Sequence, residues 1–106
     1  MISAVTIKLA PSELMGMFYT SRRGVVHVAL DNYKSYEIRP CFAVDAEGID
    51  AAEEAFDLTN NPSRQDERVQ LYGRGRSVSV GDIVEVDGKN YVCAPTGWLE
   101  LPELSV

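Results

Sequence analysis

Four arginines fall within thirteen residues: Arg64, Arg68, Arg74 and Arg76. A guanidinium presents a planar fork of donors that matches phosphate and carboxylate oxygens, so this run is the candidate anion-binding site. Arg64 and Arg68 stand four apart and would share one face of a helix. Arg74 and Arg76 flank Gly75 in a loop. The plainer reading pairs these cations with Asp66, Glu67 and the acidic segment before them. "GRGRS" lacks the GK[ST] ending of a nucleotide-binding P-loop, so that reading is rejected.

The acids make the second cluster. "DAEGIDAAEEAFDLT" (45–59) holds six carboxylates and no base. Asp50, Glu53, Glu54 and Asp57 form the candidate partner-binding face. Their spacing, with that of Asp45 and Glu47, is not that of an EF-hand loop, which needs ligands at alternate positions and a glycine at the sixth; no metal site is read here. A solvated helix face is the plainer alternative.

Nucleophilic catalysis has little to work with. His27 is the only histidine and sits in "VVHVA". Cys41 and Cys93 could reach it only through tertiary contact, and neither GxSxG nor HExxH occurs. The cysteines lack CxxC spacing and lie among apolar neighbours, as small core residues do. No catalytic residue and no cofactor is therefore assigned. Trp98 follows Pro95 and Gly97 and reads as a plug for the end of a sheet core, with an interface contact as the alternative.

The elements that would position these groups follow from periodicity. The chain has 106 residues and reads as one domain, 1–106. Val5, Ile7 and Leu9 alternate with Thr6 and Lys8, predicting a strand over 4–9. "PSELMGMFYTS" (11–21) reads as a turn or loose helical segment. "GVVHVAL" (24–30) is rich in β-branched residues and reads as a second strand, and 33–44 as a third, with Pro40 at an edge, a bulge or a break.

Between 50 and 59 the apolar residues fall on one helical side, Ile49, Ala52, Ala55, Phe56 and Thr59, with Asp50 as cap and Glu53 completing a capping box. Asn61-Pro62 starts a second short helix over 62–72, with Val69, Leu71 and Tyr72 inward and Gly73 at its end. Strands over 77–86 and 89–94 flank Asp87-Gly88, a two-residue hairpin signal. That turn sets Val84 opposite Tyr91 and Ile83 opposite Val92. "WLEL" adds a short last strand. The fold class is α+β: a mostly antiparallel sheet of about five strands, with two short helices between the third strand and the C-terminal hairpin, packed on one sheet face.

The net charge is −6, from sixteen acids and ten bases. This repels a phosphate backbone at long range and disfavours direct nucleic-acid binding. No apolar run approaches a membrane span and no signal peptide is apparent, so a cytoplasmic location is expected.

Residues 51–98 carry three further signatures: "AF-x-x-TN" at a helix end, "RS-x-SVGD", and a closing "GW" after the hairpin. In these the chain resembles small uncharacterised proteins of bacteriophages and plasmids, and more distantly the YodL-type domains of mobile-element accessory proteins. The resemblance implies a setting in a bacterial host and carries no catalytic residue with it. It points to a small acidic, non-enzymatic accessory protein that binds, and in doing so inhibits, a host protein or protein–nucleic-acid complex. The alternative is a nucleic-acid-binding accessory protein using the arginine run.

Overall fold

Alternation of apolar and polar residues builds the central strand. The computed structural model describes residues 1–19 and 22–102. In β1 (Ile2–Leu9) every second side chain is buried, so Val5, Ile7 and Leu9 share one face. β4 (Ile83–Val86) and β5 (Lys89–Cys93) form the expected hairpin, with Val84 opposite Tyr91 and Ile83 opposite Val92. Its turn residues have φ of 48° at Asp87 and 89° at Gly88. Positive φ at both positions is what a two-residue turn matched to strand twist requires. β6 (Trp98–Glu100) closes that side of the sheet. With β2 (Glu37–Ile38) and β3 (Phe42–Asp45), the strand order is β2-β1-β4-β5-β6, all antiparallel, with β3 also paired to β1.

The strand expected over 33–44 is interrupted. Tyr33–Ser35 form a 3-10 turn, and β2 (Glu37–Ile38) and β3 (Phe42–Asp45) follow. Both lie along the same side of β1, with Ile38 opposite Lys8 and Phe42 opposite Val5. Between those pairs β1 has two residues, Thr6 and Ile7, and its partner has three, Arg39 to Cys41. One extra residue in an edge strand is a β-bulge, and Pro40, which lacks a backbone donor, sits inside it.

Residues 24–30 are not a strand. They belong to α1 (Arg22–Asn32). The stretch is apolar on both alternating positions, so period 2 and period 3.6 fit it equally, and packing decides. Val25 and Ala29, four apart, are fully buried, while His27 between them is exposed. They join Phe18, Tyr36, Ile83, Val92 and Leu101 in a core on one face of the sheet. Residues 12–19 form a 3-10 helix against α1; Thr20 and Ser21, the end of the expected loose segment, lie outside the described residues.

The opposite face is covered by α2 (Gly48–Asn60), longer than the expected 50–59. Ala51, Ala52, Ala55 and Leu58 are buried against Val5, Ile7, Val84, Tyr91 and Trp98. Ile49, expected inward, is 47% exposed. The expected capping box is absent: Glu47 occupies the cap position without a side-chain bond, and Asp50 stands in the first turn, where its charge suits the helix dipole. Asn61 does cap the next turn, its Oδ1 accepting from the Ser63 amide at 3.0 Å, with Pro62 at the first position. A 3-10 turn (Pro62–Arg64) leads into α3 (Gln65–Leu71). Tyr72 is buried as expected, but Val69 and Leu71 are exposed, because α3 packs on α2 rather than on the sheet.

The strand expected over 77–86 begins only at Ile83. Residues 77–80 leave the ladder because Asp82, fully buried, draws them into a turn. Its carboxylate accepts from the Ser79 amide at 2.7 Å, the Ala10 amide at 2.8 Å and both Nη atoms of Arg76 at 2.8 and 2.9 Å. Gly81 (φ 94°) lies against Phe18, and a Cβ there would come within 2.3 Å of the ring.

Candidate binding surface

The helix–turn–helix of α2 and α3 places the acids and arginines together. Arg64 sits at its centre. Its Nη1 donates to Glu54 and, at 2.9 Å, to Asp57; its Nε and Nη2 donate to the two Glu67 oxygens at 2.8 Å. These bonds raise the Arg64 pKa further, the Glu67 pair contributing most. The same contact lowers the Glu67 pKa. One guanidinium thus faces three carboxylates, and an excess negative charge remains along this side of the molecule. Glu53 is held elsewhere: Trp98 Nε1 donates to its Oε1 at 2.5 Å. Asp50 and Glu47 are exposed at the start of α2.

The other arginines are not gathered into one anion site. Arg68 donates to Thr59 O at 2.6 Å, Ser77 Oγ at 3.0 Å and Gly75 O at 2.5 Å. Arg76 is bound to Asp82 and to Ala10 O. Arg74 is exposed and makes no ion pair among the described residues. Sequence reasoning missed Arg39, whose guanidinium lies 5.3 Å from the Tyr72 ring centre while Arg68 lies 5.7 Å away. Arg39 stands beside Pro40, far from the arginine run in sequence, so no local spacing could reveal it.

Two of the three signatures of residues 51–98 bind each other, and the third anchors the hairpin to α2. Thr59 Oγ1 accepts from the Val78 amide and Asn60 Nδ2 donates to Val78 O. The arginine and aspartate of "RS-x-SVGD" are the Arg76–Asp82 pair. The tryptophan of "GW" reaches back to Glu53 on α2. These residues fasten the helix end, the 77–82 turn and the hairpin together.

The histidine and cysteines do not converge. His27 is exposed on α1, which covers one sheet face, whereas Cys93 is buried in the core under α2 on the other. Burial pushes the Cys93 thiol up to about 12, with Asp82 and Glu53 adding to the effect. Both cysteines are free, Cys41 exposed and Cys93 buried. Among the described residues no three His, Cys, Asp or Glu side chains are grouped to hold a metal ion, and no helix is long and apolar enough to cross a membrane.

No protein family, no curated protein and no solved structure matched this chain.

Proposed function

We propose that this protein is a non-enzymatic binding module that docks on a basic surface of a partner through the acidic side of α2 and α3. The observation that carries the reading is the charge imbalance around Arg64. Glu54, Asp57 and Glu67 are held in place by one cation, so the surface is ordered before binding and still negative. Preorganised charge favours fast, oriented association with a complementary surface. A host protein or protein–nucleic-acid complex offers such a basic groove, and occupying it would inhibit it. The setting in a phage or plasmid of a bacterial host rests on the resemblance of residues 51–98, and the cytoplasmic location on the sequence reading alone.

The test is affinity capture from a bacterial lysate, compared with one double variant. Glu47→Lys and Asp50→Lys change exposed acids beside the cluster without touching Arg64 or Trp98. Capture of a specific protein should weaken in the double variant and in raised salt, with circular dichroism unchanged. Capture indifferent to both would sink the reading. The nucleic-acid alternative keeps only Arg74 as an uncommitted cation of its run; Arg74→Ala with a low-salt retention assay on DNA and RNA decides it.

A further inference from the structure

We infer that the open edge at β3 accepts an extended segment of the partner as an added strand, one that alternates basic and apolar side chains. This rests on the reading of the acidic side as a docking surface and specifies how the partner would sit on it.

The edge follows from hydrogen-bond parity. In an antiparallel pair, successive residues of a strand direct their amide and carbonyl to opposite neighbours. Ala4 is committed to the β4 side: its amide donates to Asp87 Oδ1 and its carbonyl accepts from the Asp87 amide. Ser3 and Val5 therefore bond to β3, opposite Val44 and Phe42. Ala43 and Asp45 lie between and beyond those pairs, so their backbone groups point away from β1. Among the described residues no strand lies on that side, since β3 pairs with β1 alone. An edge with unpaired donors and acceptors is a template for another chain.

The two flanks of this edge differ, and the difference selects the occupant. Towards the helices, a groove of about 210 Å³ runs between β3 and α2–α3; the edge residues Ala43 to Asp45 line one wall, and Leu58, Leu71 and the Arg64 guanidinium with its partners Glu54 and Glu67 line the other. It carries the excess charge around Arg64, so every second side chain of an added strand should be basic with an aliphatic stem. Towards the other face, α1 covers only the part of the sheet around Ile83 and Val92. Ile2 (68% exposed), Ile38 (69%), Ala4 and Ala43 remain open there, with Asp45, ion-paired to the N-terminal ammonium, at the far end beside Ile2. Ala4 and Ala43 are cross-strand partners. Ile38 shares their face through its pairing with Lys8. The intervening side chains should therefore be apolar.

The probe is a short synthetic peptide alternating lysine with valine. Two further copies are N-methylated on one or the other set of alternate amides. The unmodified peptide should bind the whole chain and slow amide exchange at Ala43 and Asp45 about tenfold. One N-methylated copy should bind about tenfold more weakly than the other, because a strand presents only one edge to β3. Ala43→Pro, which removes an outward amide, should reduce binding with the circular dichroism retained. Equal binding of the two methylated copies, or unchanged exchange at Ala43 and Asp45, overturns strand addition. If lysate capture still depends on Glu47 and Asp50 in that case, the acidic docking surface stands without it. If capture is also indifferent to charge, both fail.

Discussion

Asp82 is the residue on which the 76–82 turn depends. It is fully buried and satisfies two backbone amides and one guanidinium. Burying a carboxylate is costly unless every lone pair is met. Arg76→Ala would leave this charge without its cation; we expect a loss of about 3 kcal/mol in urea denaturation, at the low end for a broken buried pair because the Arg76 side chain keeps some contact with water. Asp82→Ala should cost at least as much, since it also strands the Ala10 and Ser79 amides. Both variants showing wild-type stability would mean that the turn is held by something else. Trp98→Phe is a milder probe. It keeps most of the buried ring and deletes one donor to Glu53, so we expect a loss of about 1 kcal/mol and a more exposed Glu53.

At the scale of elements, α1 is the sharpest departure from what periodicity predicts. Valines favour strands because branched side chains pack well on a pleated surface, not because the backbone forbids a helix. Here the sheet already has its strands, and the face around Ile83 and Val92 needs a cover. A helix supplies Val25 and Ala29 to it and turns His27 outward. A strand would have put Val25, His27 and Ala29 on one side. Ala29→Lys should therefore unfold the protein or cost more than about 3 kcal/mol, while His27→Lys should stay within about 0.5 kcal/mol; equal effects would favour the strand. The acidic helix was legible because its apolar positions fall cleanly on one side. Its start was not, since Gly48 at φ 57° begins the turn without a side-chain cap.

At the scale of the whole molecule, exposed carboxylates gather near the N-terminal end of β1. Asp45 and Asp87 flank its N-terminal end, with Glu47 and Asp50 at the nearby start of α2. Towards its C-terminal end the cations Arg76 and Arg39 are each matched by a carboxylate, Asp82 and Glu37. A partner guided by electrostatics would meet the molecule in a defined orientation. Burial separates the two cysteines, Cys41 exposed and Cys93 in the core under α2. A thiol reagent should label Cys41 quickly in the native state and Cys93 only on unfolding. Cys93 has a folded pKa raised from 9.0 to about 12. The folded state then holds its proton more tightly than the unfolded state. Stability is therefore full below about pH 9 and should fall as pH rises from there towards 12. Cys93→Ala should flatten that alkaline decline; an unchanged slope would place its origin elsewhere.

Local pattern by itself determined β1, the β4–β5 hairpin with its register, the Asn61-Pro62 helix start and the amphipathic α2. Each is set by residues near one another in the chain, where the periods of 2 and 3.6 and the φ preference of Asp-Gly act directly. Only the tertiary structure decided that 22–32 is helical, that Pro40 marks a bulge, and that helices cover both sheet faces. It also decided that the arginines expected to form one anion site are distributed among Asp82, backbone carbonyls and three carboxylates. Those outcomes depend on which distant groups must be buried or neutralised together. Residues tens of positions apart, such as Trp98 and Glu53 or Arg76 and Ala10, make that choice only once the chain has closed.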